Sequence, residues 1–185
     1  TLTITGTDDS IDESDETIIL TPSASGAVLA SSAALNIAFT DNDLPPAVTS
    51  VTATTADGAY KEGQAIAITV TFDKAVTVTG TPQLTLETGS SDAVVDYASG
   101  TGTTTLTFNY TIASGQNSDD LDYVATTSLA LNSGTITETG GTSDVTLTLP
   151  APGATNSLGA NKALVIDITV PTISITATNG ISAVD

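Results

Sequence analysis

Residues 65–72 read AIAITVTF and residues 103–112 read TTTLTFNYTI. In the first, Ile66, Ile68, Val70 and Phe72 alternate with Ala and Thr. In the second, Leu106, Phe108, Tyr110 and Ile112 alternate with Thr and Asn. Successive side chains on a strand point to opposite faces, so a period of two gives one apolar and one polar face. Such a segment is a half-buried antiparallel strand. Thr is β-branched and suits a pleated, partly wet surface.

The same period recurs outward from these stretches. It is present in TLTIT at 1–5, VTVT at 76–79, LTL at 84–86, VTLTL at 145–149 and ALVIDITV at 163–170. Turn signals separate the runs: Asp57-Gly58, Glu62-Gly63, Thr79-Gly80, Ser99-Gly100, Ser114-Gly115, Ser133-Gly134 and Gly140-Gly141. The Ala-rich segment 30–38 carries Ser31, Ser32 and Asn36, which fit a loop leading into a strand, and no amphipathic helix is predicted. The expectation is an all-β fold, an antiparallel β-sandwich.

Composition narrows the function. The only bases are Lys61, Lys74 and Lys162, against 21 acids, for a net charge of -18. Nucleic acid is excluded as a partner, because phosphate binding needs clustered Lys and Arg. An anionic membrane surface repels such a chain, and no apolar run approaches the length of a membrane span. Acidic disordered chains lack the alternation seen here. With no Cys and no His, there is no disulfide, no thiolate, no Ser-His-Asp triad and no His-type metallohydrolase site. Trp is absent and aromatics are 4% of the chain, which disfavours the stacking subsites of a glycosidase. No enzymatic activity is expected.

Two boundaries stand out. At Thr40-Asp41-Asn42-Asp43-Leu44-Pro45-Pro46 a strand ends, acids cluster and two prolines stiffen the exit. At Asp167-Ile168-Thr169-Val170-Pro171 a second exit precedes a new strand-like Ile173-Ser174-Ile175. One complete domain is expected over 45–170, with partial β-sandwich pieces at 1–44 and 171–185.

The acids are unevenly spread. Asp8, Asp9, Asp12, Glu13, Asp15 and Glu16 crowd one segment; Asp41 and Asp43 flank Asn42; Asp119, Asp120 and Asp122 share the loop SDDLDY; Asp167 marks the second exit. Like charges this close repel unless they stay in water or a cation neutralises them. A hard cation with six to eight oxygen ligands, Ca2+, suits such clusters, whereas zinc and copper want His or Cys. Each cluster also reads as an ordinary solvated loop. Glu62 reads equally as a turn residue before Gly63, and Asp167 as a strand-end residue.

At these residues resemblances emerge. The acidic run DDSIDESDETIIL and the strand NIAFTDND make residues 1–44 resemble the C-terminal part of a Calx-β domain. That resemblance implies calcium ligands among Asp8, Asp9, Glu13, Asp41, Asn42 and Asp43. ADGAYKEGQAIAITVTFDKAVTVTGTPQLTLETG, YASGTGTTTLTFNYTIASGQNSDDLDY and SLGANKALVIDITVP make residues 45–170 resemble the Ig-like repeats of giant bacterial surface proteins, including RTX-type adhesins. Lys74 stands where such repeats often carry an acid or a small polar residue, and no role is assigned to it. A looser similarity to cadherins implies that Glu62, Asp120 with Asp122, and Asp41-Asn42-Asp43 come together in one interdomain calcium site; Asp167, at the second exit, is a further candidate ligand by its position alone. The resemblances imply an Ig-like spacer of a secreted or cell-surface bacterial adhesin, whose partners are neighbouring domains of the same long chain. Two rivals stand beside it: a self-assembling filament or surface layer with copies head to tail, and a glycan- or partner-binding module. Tyr60, Tyr97, Tyr110 and Tyr123 are expected in the core or at sandwich corners, their hydroxyls bonded to backbone, rather than on a sugar platform.

Overall fold

A computed structural model of the chain describes residues 9–12, 14–21, 34–41 and 43–169. The described residues are nearly all strand, turn or loop. Two short strands, β1 (Glu16–Leu20) and β2 (Leu35–Phe39), pair antiparallel as a separate ribbon, with Ile18 opposite Ile37. After Pro45-Pro46 come β3 (Val48–Ala53), β4 (Gly58–Tyr60) and the long β5 (Ala65–Thr79). Next follow β6 (Gln83–Glu87), β7 (Ala93–Ser99) and β8 (Thr103–Thr111). The short strands β9 (Asp122–Tyr123), β10 (Leu129–Ala130) and β11 (Thr135–Glu138) precede one helical turn, α1 (Leu158–Asn161), and the last strand, β12 (Leu164–Ile166).

The main sheet runs β10-β6-β7-β8-β5-β11, with β3 also on β5 and β9 also on β6. All of its pairings are antiparallel. It does not stay flat. The first half of β7 pairs with β6, Leu84 opposite Val95, while Tyr97 and Ser99 pair with β8 across an irregularity. Strands that change partners at a bulge turn the corner of a sandwich. A second break lies in β5, where pairing with β8 jumps from Thr71 to Val76. The sheet thereby curls into a sandwich-like fold.

The alternating residues do what their period dictates. Ile66, Ile68, Val70 and Phe72 of β5 and Leu106, Phe108 and Tyr110 of β8 are buried, together with Leu84, Leu86, Val95 and Tyr123 from β6, β7 and β9 and Leu121 from the loop before β9. Four differences from the expected strands are instructive. Residues 76–79 are not a separate strand but the continuation of β5 beyond Asp73-Lys74. The VTLTL segment buries Val145 and Leu149, yet it touches the sheets only through isolated bridges at Asp144 and Thr146. Val145 N–H reaches the Ile136 carbonyl of β11 (3.4 Å), but beyond it the amides go to loops: Thr146 N–H donates to the Pro46 carbonyl (2.8 Å) and Leu149 N–H to the Thr126 carbonyl (2.9 Å). β4 and β12 pair in parallel, Tyr60 opposite Ile166, because the chain enters and leaves the sandwich in the same direction. A parallel pair needs a long crossover, and here nearly the whole domain supplies it. The turn read as Ser133-Gly134 is centred one residue earlier. Asn132 and Ser133 take φ of 46° and 63°, and Gly134 N–H closes the turn on the Leu131 carbonyl at 2.8 Å. Gly134 is needed for close approach instead: a Cβ there would stand 2.3 Å from the Thr79 carbonyl oxygen.

The tyrosines sit where their chemistry places them. Tyr110 and Tyr123 are buried, Tyr110 donating to Gln116 Oε1 (2.8 Å) and Tyr123 to the Pro150 carbonyl. Tyr60 donates to the Ala56 carbonyl (2.7 Å), and the Tyr97 hydroxyl accepts from Thr101 N–H (2.8 Å). All four hydroxyls thus close loops or corners, though the partner of Tyr110 is a side chain rather than backbone.

Candidate functional site

The first acidic cluster is assembled by β1–β2 pairing. Glu16 lies opposite Phe39, so just outside the ladder Asp15 faces Thr40 and comes within reach of the next residue, Asp41. Asp41 N–H donates to Asp15 Oδ1 (2.9 Å), and Asp43 N–H donates to Asp41 Oδ1 (3.1 Å). Residues 26 apart in sequence therefore meet at the foot of the ribbon, directly before the prolines. Pro46 is buried and its carbonyl holds Thr146, so the Pro-Pro segment is already part of the sandwich edge. Asp9 lies nearby in sequence but turns its Oδ1 to its own loop, accepting from Ile11 N–H at 2.9 Å. Asp8, Glu13 and Asn42 lie outside the described residues.

The second cluster surrounds α1. Asp120 and Asp122 flank buried Leu121, and both carboxylates turn toward Gly159. A Cβ at Gly159 would stand 3.0 Å from Asp122 Oδ2 and 3.4 Å from Asp120 Oδ2. Asp122 is also a structural acceptor, taking Gly153 N–H on Oδ2 (2.9 Å) and Tyr123 N–H on Oδ1 (2.9 Å). It thereby holds the 150–157 loop against the core. The proximity of Asp122 and, above all, burial push the Tyr123 phenol well up.

Glu62 and Asp167 share the far end of the domain. Glu62 is exposed in the turn between β4 and β5, which Gly63 N–H ties to the Ile112 carbonyl (2.9 Å). Asp167 follows β12, its N–H donating to the Tyr60 carbonyl (3.0 Å). Its carboxylate accepts from the Thr169 hydroxyl and the Thr169 N–H, and those bonds, with nearby Lys61, lower its pKa.

The arrangement implied by the cadherin similarity is not what the fold builds. β5 leads from Ala65, beside the Glu62 turn, to Asp73, which binds Ala47 at the foot of the ribbon. Eight residues of strand span roughly 26 Å. Glu62 and the Asp41–Asp43 foot thus lie at opposite ends of the sandwich. The Asp120–Asp122 loop meets β12 at Leu164, three residues before Asp167, or about 10 Å along the strand. Glu62 and the Asp41–Asp43 foot therefore do not share one site. Among the described residues, no group of three or more acids stands close enough to hold a metal by itself.

The chain matches no family model, no curated protein and no solved structure.

A shallow cleft of about 520 Å³ opens where β7 leaves β8, lined by Asp92, Val94, Asp96, Asn109 and Tyr110 among others. Its polar groups are largely spoken for: Asp96 Oδ1 accepts from Gln83 Nε2 (2.8 Å), and Tyr110 bonds Gln116.

Sequence reasoning assigned no role to Lys74, and the structure gives it one. Lys74 Nζ stands 3.3 Å from Glu138 Oε1, and Glu138 is only 4% exposed. The same Nζ donates to the Ser10 carbonyl (2.8 Å), which is part of the first acidic segment. Lys162 likewise pairs with Asp57 (3.0 Å), joining the starts of β12 and β4. That hydrogen bond lowers the Asp57 pKa. A signal for the Lys74 pair existed in TITE at 135–138: the period that buries Ile136 also turns Glu138 inward, and an inward acid requires a partner.

Proposed function

We propose that this chain is a structural extender from a large secreted or cell-surface bacterial adhesin, stiffened by calcium where its domains join. One observation carries the reading. Acids from two separate sequence runs, Asp15 on one side and Asp41 and Asp43 on the other, converge at the foot of the β1–β2 ribbon, immediately before the segment that enters the sandwich. Carboxylates gathered at a joint repel one another when no cation is present, and a hard divalent ion neutralises them. Three carboxylates carry six oxygens, and one on Asp15 and one on Asp41 already accept main-chain amides, so the remainder falls short of the six to eight that calcium takes. Backbone carbonyls and water are the donors that would complete the shell. Bound to the folded arrangement alone, the ion both stabilises and stiffens the joint. Asp120 with Asp122 is a second place of the same chemistry, and Glu62 with Asp167 marks the joint to the next domain.

The test is calcium titration of the whole chain followed by calorimetry. Binding with a stoichiometry of at least one, weakened by Asp41→Asn, supports the reading; no saturable heat up to millimolar calcium opposes it.

A second reading, a self-assembling filament, is favoured by one feature of the ribbon. Pairing places Ile18, Leu20, Leu35, Ile37 and Phe39 on one face, and Ile18 and Leu35 are 40% and 59% exposed. A two-stranded ribbon is marginal alone and gains from a cover. In the filament reading a second copy provides it, head to tail. Light scattering with and without residues 171–185 separates the readings, since an unchanged monomer in both eliminates the filament.

A further inference from the structure

We propose that Lys74, Glu138, Gly140, Gly141 and Ser143 form a metal-independent socket that holds the Ser10-Ile11-Asp12 segment, and with it the β1–β2 ribbon, against the sandwich. Three polar contacts reach the segment, and all three engage its main chain. Lys74 Nζ donates to the Ser10 carbonyl (2.8 Å), Glu138 Oε2 accepts Asp12 N–H (3.0 Å), and Ser143 Oγ donates to the Asp12 carbonyl (2.8 Å). Among the described residues, the side chain that lies over the two glycines is Ile11. A Cβ on Gly141 would come 2.9 Å from Ile11 Cγ2, and one on Gly140 would stand 3.6 Å from Ile11 Cδ1. The socket therefore fits an extended tripeptide with an apolar centre, and it reads the flanking residues through their backbone alone.

Its polar groups are preorganised. Glu138 is buried on β11 and faced by Lys74, so one carboxylate oxygen is neutralised while the other is aimed at the incoming amide. Lys74 gains its position from the break in the β5–β8 ladder between Thr71 and Val76. The adjacent Asp73 uses the same break to hold the exit of the ribbon. Its Oδ1 accepts Ala47 N–H (2.8 Å) and its N–H donates to the Ala47 carbonyl (3.1 Å). Asp73 thus fixes the chain where it leaves the Pro-Pro segment and enters β3, while Lys74 and Glu138 hold the Ser10–Asp12 segment on the other chain end of the ribbon. That second contact opposes rotation about the Pro-Pro segment, which the covalent link alone does not. None of these contacts involves a metal, so the socket stands or falls separately from the calcium reading.

Hydrogen exchange on the full 185-residue chain in excess EDTA tests it. The Asp12 amide is expected to exchange at least roughly tenfold more slowly than an unprotected amide, with the same protection in calcium. Ile11→Ser, which lies outside the core and leaves the sandwich folded, brings that amide to the unprotected rate while Val70 and Phe108 stay protected. Lys74→Met does the same. Free exchange at Asp12 in wild type overturns the proposal, as does protection that appears only with calcium or that survives Ile11→Ser.

Discussion

Replacing Lys74 with Met leaves Glu138 as a buried carboxylate without its cation. Glu138 is 4% exposed, and Lys74, at 26%, is itself mostly covered. Removing one partner of a buried pair costs roughly 3–5 kcal/mol, because the other charge stays desolvated. The partial exposure of Lys74 lets solvent screen some of this, so about 2–3 kcal/mol is the expected loss. For a domain of this size that corresponds to roughly 6–12 °C in unfolding midpoint. Replacing both residues, Lys74→Met with Glu138→Leu, removes the stranded charge. It should return most of the loss, since a buried pair exchanged for apolar groups is often near neutral. The assay is urea unfolding of wild type, both single variants and the double variant at pH 7, followed by near-ultraviolet dichroism of the tyrosines. The double variant should be more stable than Lys74→Met by at least about 1 kcal/mol. If the single losses simply add, the pair is not coupled and the buried-pair account of Glu138 is wrong.

Three further outcomes are expected. Gly134→Ala pushes a Cβ against the Thr79 carbonyl and should destabilise the β5–β11 turn by about 1–3 kcal/mol, read as a lower urea midpoint. Tyr123→Phe leaves the Pro150 carbonyl without its donor and should cost about 1 kcal/mol, with faster exchange in the 150–157 loop. At high pH, burial holds the Tyr110 phenol up to about 12, above its unfolded value near 10. The folded state then keeps protons that the unfolded state has lost, so stability is full below about pH 10 and falls as pH rises toward 12. Tyr110→Phe should flatten that slope in alkaline denaturation, and an unchanged slope would place the titration elsewhere.

The period of two revealed which residues are buried more reliably than how strands pair. AIAITVTF and TTTLTFNYTI are neighbours in the sheet with the apolar faces expected of them. VTLTL shows the limit, because alternation satisfied by burial does not require a ladder, and its Thr146 and Leu149 amides found loop carbonyls. β4, β9 and β10 are too short for any periodicity to mark them. The acidic clusters were plain in the sequence, but which of them meet is a matter of register. One ladder joins Asp15 to Asp41, whereas the length of β5 keeps Glu62 away. Lys74 escaped notice because its partner lies 64 residues further on, reached only by the pairing of β5 with β11.

The most direct test of a calcium-clamped joint is thermal unfolding of this chain in excess EDTA and in millimolar calcium, with the Asp41→Ala/Asp43→Ala variant alongside. At a hundredfold excess over its dissociation constant, an ion that binds only the folded state adds about 2.7 kcal/mol, or roughly 10 °C. The account predicts a rise of that order in wild type and little or none in the variant. Identical midpoints in EDTA and calcium would contradict it, leaving the acids as a solvated surface and the ribbon held by its contacts with the sandwich alone.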